Sequence, residues 1–496
     1  MTKKYVIALD EGTTSARAVI WNAEGREVAS GQLEFEQVYP KPGWVEHRPE
    51  DIFIAQRASL REALDRGKIS LSSIAGIGIT NQRETTIVWD RKTGKPVHNA
   101  IVWQCRRTSG IVDKLVADGH GELFTQRTGL IPDSYFSATK VKWILDSVPG
   151  ARERAERGDL LFGTVDTYLL WRLSGGKVHK TDYTNASRTM LFNIHKLAWD
   201  EELCKILDIP MALLPEARPS SEVYGYTDPA IVGAEVPLCG VVGDQQGALF
   251  GQCCFEEGEM KNTYGTGCFL LLNTGRKAVP SNNRLLTTVA YSLEEGKANY
   301  ALEGSVFIAG AVVQWLRDGV NMIDHAKETA TMAESVEHSE LYLVPAFVGL
   351  GAPHWDQYAR GLLIGITRDT GRANIVRAAL ESVAFQARDL VGAMERDTGT
   401  PTKHLTVDGG MARNDFLMQF QADILGVDVV RPRVLETTAL GAAFLAGLAV
   451  DVWDGLDEIR SLWQADETFS PKDIDRDALY DRWQDAVRRS GDWAKH

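Results

Sequence analysis

Asp10-Glu11-Gly12-Thr13-Thr14-Ser15-Ala16-Arg17 interrupts two apolar runs, Tyr5-Val6-Ile7-Ala8-Leu9 before it and Ala18-Val19-Ile20 after it. The first run reads as a buried strand, so Asp10 stands where that strand emerges. Gly12 lets the backbone turn tightly and approach a ligand, and Thr13 and Thr14 offer N–H and hydroxyl donors. A strand-end carboxylate beside such a donor loop suits a metal-bound polyphosphate, with Asp10 toward the metal and the loop toward phosphate oxygens. Asp, Gly and Thr are equally at home in an ordinary hairpin turn.

Outward from this stretch, strands are expected over residues 5–9, 16–21 and 27–34, followed by a helix over 49–64. Strands recur at 74–79, 85–89 and 100–103, with helical stretches near 140–146 and 167–173. Hairpins mixed with strand–helix alternation predict an α/β class with mixed sheets. A second round opens at Leu238-Cys239-Gly240-Val241-Val242-Gly243 and again ends in a polar insert, Asp244-Gln245-Gln246. The strand 261–264 then meets Gly265-Thr266-Gly267 and continues as 269–272. Each half so has a strand ending in Asp and a glycine–threonine turn between strands, the mark of an internal duplication with halves meeting near residue 250. The expected domains are 1–249 and 250–496.

The chain has 496 residues, more than one hydrophobic core accommodates. Its net charge of −13 argues against a nucleic-acid surface, although a cleft can still gather basic groups around an anion. No secretory leader and no membrane insertion are expected, because no apolar run approaches a membrane span. The six cysteines form no C-x-x-C pair, which predicts reduced thiols in a cytoplasmic protein.

Common nucleotide motifs are missing: there is no Walker A sequence, and Gly265-Thr266-Gly267 and Gly349-Leu350-Gly351 both lack the third glycine of the dinucleotide fingerprint. Val407-Asp408-Gly409-Gly410, leading through Asn414 into a helix over 414–425 that stops at Gly426, allows a backbone to lie against a base or phosphate. Asn414 there serves either a nucleoside or simply the helix N-cap. A helix starting near Gly310 brings Gln314, and helix 439–449 carries small residues for close packing. On the acceptor side, adjacent Arg83 and Glu84 offer a donor fork beside an acceptor, suited to vicinal hydroxyls, unless they form a solvated hairpin tip. Trp103 and Tyr135 add an aromatic wall and a phenol. Asp244 is the candidate base. Phosphoryl transfer asks for such a carboxylate, a magnesium ion and donors on the transferred group, and Asp10, Thr13, Thr14, Thr266 and Arg17 complete that set.

This ordered set closely resembles the FGGY carbohydrate kinases, and among them the members that act on glycerol. The resemblance covers nearly the whole chain. It is most specific at 10–17, 39–47 (YPKPGWVEH), 80–89 (TNQRETTIVW), 99–108 (NAIVWQCRRT), 182–194 (DYTNASRTMLFNI) and 262–267. Residues 135–146 (YFSATKVKWILD) resemble one family signature and 361–380 the other. It implies two actin-like ATPase (ribonuclease H-like) domains with mixed sheets flanking a central cleft that closes on substrate. It implies that Arg83, Glu84, Tyr135, Asp244 and Gln245 bind glycerol, with Trp103 and Phe269 packed on its carbons and Asp244 as general base. Thr13, Thr14, Ser15, Arg17, Thr266, Gly267, Gly310, Gln314, Gly410 and Asn414 would bind ATP or ADP, Asp10 would hold Mg2+, and the chain would assemble as a dimer or tetramer. Ile231-Val232-Gly233-Ala234-Glu235 replaces the arginine-bearing loop through which well-known bacterial members bind fructose 1,6-bisphosphate, so that inhibition is not expected. Glu11 and His354 also depart from the usual Gln and Tyr. A kinase for a pentulose and an ATP-driven scaffold protein are the alternatives; the second would need no Arg83–Glu84 pocket.

Overall fold

The computed structural model describes residues 4–337 and 339–495; residues 1–3 of the first expected domain and 338 and 496 of the second lie outside them. The decisive apolar run forms the strand Tyr5–Glu11, which pairs antiparallel with Ser15–Asn22, itself paired with Glu27–Glu34. On its other side lie Ile74–Asn81 and Pro237–Gly243 in parallel, closed by antiparallel Val223–Tyr226. The register is level at one rim: Glu11 and Gly243 both face Asn81. Asp10, Arg83 and Asp244 therefore emerge at the carboxyl ends of three neighbouring parallel strands, the edge where open α/β sheets bind ligands.

The second sheet repeats this wiring. Met260–Tyr264 pairs antiparallel with Cys268–Gly275, which pairs with Lys297–Val306, and Leu286–Glu294 is the outer strand. His404–Asp408 and Asp428–Pro432 run parallel to Met260–Tyr264, and Ala465–Phe469 closes the sheet antiparallel. Three antiparallel neighbours, two parallel strands and a closing antiparallel strand thus occur twice, as the internal duplication predicts, with Leu286–Glu294 as an added edge strand in the second sheet.

Two helices join the halves. Asp244–Gly251 and Thr437–Ala449 cross backbone to backbone: a Cβ at Gly441 would lie 1.9 Å from the Gly247 carbonyl oxygen. The small residues of Thr437–Ala449 so serve helix–helix contact as well as contact with the first sheet, where a Cβ on Gly78 would meet the Ala442 carbonyl at 2.3 Å. The sequence places the division at 249/250, inside the helix Asp244–Gly251. A further lobe, packed around Phe124, Phe136, Ile144 and Leu203, is inserted in the first half beside the rim.

Most expected elements form, with two informative differences. The strand expected over 100–103 is only Ala100–Ile101, because the N–H of Cys105 turns back to the Val102 carbonyl and puts Trp103 in a turn. The strand expected from Thr85 starts at Ile87: Glu84 adopts φ 60° and the Thr85 N–H bonds the Arg83 carbonyl, so the chain first makes a tight turn. All six cysteines are buried, and none forms a disulfide among the described residues.

Candidate active site

The turn after the first strand is closed by the Gly12 N–H on the Ser15 carbonyl at 2.9 Å. Thr13 Oγ1 accepts from Trp103 Nε1 at 3.0 Å, tying this turn to the aromatic wall, and Thr14 is exposed. Ser15 Oγ accepts from Gln32 Nε2, so its hydroxyl already serves the sheet. Burial, then the charge of Glu436, push the Asp10 carboxyl up to about 7; Arg17 opposes this and Asp244 adds to it. Asp10 and Asp244, 234 positions apart in the chain by number (244 − 10), therefore feel one another in one crevice. Behind Asp10, burial raises the Glu11 carboxyl; its Oε2 accepts from Gln82 Nε2 at 3.1 Å, and its Oε1 is buried without a partner.

Arg83 and Glu84 are no solvated tip. Both are buried, in a network the sequence reading did not foresee. Arg83 forks onto Glu303 (Nη1–Oε2 2.5 Å, Nη2–Oε1 3.0 Å) and sets Nε 3.0 Å from Asp244 Oδ1. Arg188 bridges Glu84 Oε1 at 2.7 Å and Glu303 Oε1 at 3.0 Å. Bonds from two guanidiniums hold Glu303 down to about 2 against its burial. Glu84 moves the other way: burial outweighs its guanidinium neighbours and Glu303 adds repulsion. Its left-handed backbone is clamped by Ser137 and Thr86 hydroxyls on its carbonyl, the setting in which a strained residue persists.

Asp244 accepts the Gln245 N–H at 2.7 Å on the same Oδ1 that meets Arg83, and its side chain is 32% exposed. Its Oδ2 has no partner among the described residues. Tyr135 stands edge-on to Trp103 with centroids 5.5 Å apart. Gln245 and the Phe269 carbonyl are joined through Lys261 Nζ. The structure so gathers Arg83, Glu84, Trp103, Tyr135, Asp244, Gln245 and Phe269 through a chain of contacts. Arg188, Glu303 and Lys261 complete it. For Glu303 the signal in the sequence is a lone charge inside a small or apolar run, Ala301-Leu302-Glu303-Gly304, whereas Arg188 and Lys261 stand among polar residues and carry no such signal.

Across the crevice, the N–H groups of Ala309 and Ala311 donate to the Thr266 carbonyl and that of Gly310 to Gly265. A Cβ at Gly310 would lie 2.6 Å from the Gly265 oxygen and 3.6 Å from Met411 Sδ. The Gly265-Thr266-Gly267 turn, Gly310 and the Gly409-Gly410 turn thus meet, leaving backbone open to a flat ligand, and Gln314 is exposed at the end of the short helix Gly310–Gln314. Asn414 caps the helix Asp415–Leu425, accepting from the Leu417 N–H and donating to Thr329 Oγ1. Both arms are occupied, the N-cap alternative. Arg17 stands apart from the polyol side: it pairs with Glu436 and lies 3.9 Å from Glu27, beside a cavity of about 680 Å³ that Arg413, Arg431 and Arg433 also line.

A hard, oxygen-only donor set suits a divalent cation. Burial first, then the negative charges of Glu436 and Asp244, raise the Asp10 carboxyl, and Arg17 only partly offsets them. Among the described residues no cluster of three His, Cys, Asp or Glu side chains forms an all-protein cage. Mg2+ characteristically uses one or two carboxylates plus water and substrate phosphates, so the residues fit. Among the described residues no helix is long and apolar enough to cross a membrane.

Comparison with known proteins gives the family. The models of the FGGY family of carbohydrate kinases match at residues 5–251 for the N-terminal domain and 260–450 for the C-terminal domain. Glycerol kinase 2 of Thermotoga maritima is 59% identical over 495 residues, covering 99% of this chain and 100% of that protein. The glycerol kinase of Symbiobacterium thermophilum is 58% identical over the full length of both. The crystal structure of Plasmodium falciparum glycerol kinase with ADP superposes with a TM-score of 0.93 at 39% identity, covering 99% and 98% of the two chains. With its two matched domains and its duplicated sheets around one crevice, this chain belongs to the FGGY family of carbohydrate kinases.

Proposed function

We propose that this chain is an ATP:glycerol 3-phosphotransferase, moving the γ-phosphoryl group of Mg-ATP to glycerol to give sn-glycerol 3-phosphate and ADP, the entry step of glycerol catabolism. The observation that carries the reading is the partnerless Asp244 Oδ2 beside buried Arg83 and Glu84, in the same crevice as Asp10. Relatives 59% and 58% identical along the whole chain are glycerol kinases.

In this reading Arg83, Glu84, Tyr135 and Gln245 hold the hydroxyls of glycerol, and Trp103 and Phe269 cover its carbons. Asp244 Oδ2 accepts the proton of the attacking hydroxyl while Arg83 and the Gln245 N–H fix its other oxygen. Thr13, Thr14, Ser15 and Thr266 address phosphate oxygens, and Gly267, Gly310, Gln314, Gly410 and Asn414 the rest of the nucleotide. Arg17 turns from Glu436 toward phosphate, and Asn414 gives up Thr329 for the nucleoside. Asp10 would hold Mg2+, which supplies charge compensation on the transferred group. Domain 1–249 carries the glycerol side and the first phosphate loop and domain 250–496 the nucleotide side, with Phe269 and Glu303 reaching the polyol wall from the second. Buried thiols with no disulfide among the described residues support a cytoplasmic setting, and a dimer or tetramer is the proposed assembly, which light scattering checks.

Purified protein with ATP and magnesium is to release ADP only when glycerol is added, in a coupled assay with a panel of pentuloses and hexoses alongside. ADP release independent of glycerol, or a preference for a ketose, refutes the reading.

A further inference from the structure

The polyol side contains a cation that the proposed chemistry does not use. Lys261, on the central strand of the second sheet, is fully buried. Its ammonium donates to Gln245 Oε1 at 2.6 Å, Thr263 Oγ1 at 2.8 Å and the Phe269 carbonyl at 3.2 Å. An ammonium has three donors and no acceptor, so the group is saturated. Its partners lie on three different segments: the first turn of the helix Asp244–Gly251, its own strand, and the neighbouring strand Cys268–Gly275.

We infer that Lys261 is a positioning residue for the polyol, fixing the Gln245 amide with its oxygen inward and both N–H groups free for a substrate hydroxyl. The inference rests on the glycerol reading of this crevice and adds to it what sets the polarity of one wall. Because a lysine only donates, the atom it meets must be the amide oxygen, so the orientation of Gln245 is determined. Gln245 Nε2 has no partner among the described residues. Released from Lys261, the amide can turn over and present either its donor or its acceptor end. Held, it presents donors only, opposite the acceptors of Glu84 and Asp244. The third donor of the ammonium is taken up by the Phe269 backbone carbonyl at 3.2 Å, which leaves the amide as the side chain it orients. Burial lowers the Lys261 ammonium to about 8, while Asp408, Asp244 and Glu303 support its charge and Arg83 opposes it. Lys261→Met keeps the apolar stem but removes this charge too, so the Gln245 double variant is what separates lost amide orientation from lost charge.

The test is the kinetic split in Lys261→Met. The expected result is a KM for glycerol raised about tenfold or more, with the KM for ATP within about threefold of the parent, since only polyol binding has lost orientation. In Gln245→Leu the glycerol KM rises similarly, and adding Lys261→Met to it costs less than about twofold more, because the lysine acts through the amide. An unmoved glycerol KM in Lys261→Met, equal rises for ATP and glycerol, or full additivity in the double variant overturns the inference. A crystal structure of the unmodified chain with glycerol reads the same point should the variant not fold. Gln245 Nε2 within about 3.2 Å of a glycerol oxygen, with Oε1 still on Lys261, is the expected result, and a turned amide overturns it. Unmodified protein without any dependence on glycerol refutes the function reading itself, whereas a glycerol-dependent parent with an unmoved variant refutes only the role of Lys261.

Discussion

Glu303→Gln removes the carboxylate on which both buried arginines converge. Arg83 forks onto it and Arg188 shares its Oε1, and all three are essentially without solvent. Holding Glu303 at about 2 rather than 4.5 corresponds to about 3 kcal/mol of folding stability at about 1.4 kcal/mol per pH unit. That agrees with the about 3–5 kcal/mol seen when one partner of a buried ion pair is removed. After the change Arg83 retains Asp244 at 3.0 Å and Arg188 retains Glu84 at 2.7 Å, but each loses the fully buried carboxylate they share. For a cooperative unit of about 250 residues, with about 2.1 cal/mol/K of unfolding entropy per residue, 3 kcal/mol lowers the transition by about 6 °C. The sign with pH follows from the depressed value. The contribution of Glu303 is present above the carboxyl's unfolded value and is lost as pH falls through about 2. Scanning calorimetry of parent and variant is therefore expected to show a gap that is constant between about pH 6 and 8 and shrinks only below about pH 4.5. A gap under about 1 °C, or one that changes across neutral pH, refutes the argument that two guanidiniums hold this carboxylate charged.

Asp244→Asn keeps an acceptor for Arg83 and the Gln245 N–H but removes the proton acceptor. Steady-state assays are expected to show kcat lower by about 10²–10⁴-fold with ADP affinity nearly unchanged; retained turnover removes Asp244 from the chemistry. Gly310→Ala puts a methyl 2.6 Å from the Gly265 carbonyl oxygen, so the nucleotide wall must shift. Its ATP KM is expected to rise about tenfold with the glycerol KM unchanged, and a reversed pattern in initial-rate kinetics refutes the assignment of sides. Burial, partly offset by Arg377, raises the Glu381 carboxyl to about 7. The folded chain therefore takes up a proton the unfolded chain lacks, and this site's contribution to stability falls as pH rises from about 4.5 to about 7. Glu381→Gln is expected to melt higher than the parent, with an advantage that grows over that window and levels above it; an advantage independent of pH contradicts the raised value.

The division between what the residues announce and what only the fold supplies is physical. Strand ends and glycine turns are local: Asp10, Asp244, Gly265-Thr266-Gly267 and Gly409-Gly410 mark themselves because an apolar run stops at each. Strand order is not local. Lys261 meets Thr406 and Ile79 meets Val241 through pairings more than a hundred residues apart, and no periodicity within either strand encodes its partner. The same reasoning explains Thr437–Ala449, whose small residues announce close contact without saying that the helix crosses back onto the first sheet.

The charged network was hidden for a different reason. A single Glu inside an apolar strand reads, by alternation, as a solvent-facing position, and the adjacent Arg83–Glu84 pair reads as a wet turn. Each of these charges is tolerable only because the others share its burial: Arg83 needs Glu303, Glu303 needs Arg188, and Arg188 needs Glu84. Arg83, Glu84 and Arg188 come from the first half of the chain and Glu303 from the second. The acceptor wall is thus complete only where the two halves meet. Site and interface are one structure here, so a change that loosens the union of the halves also disorders the groups that would hold the polyol.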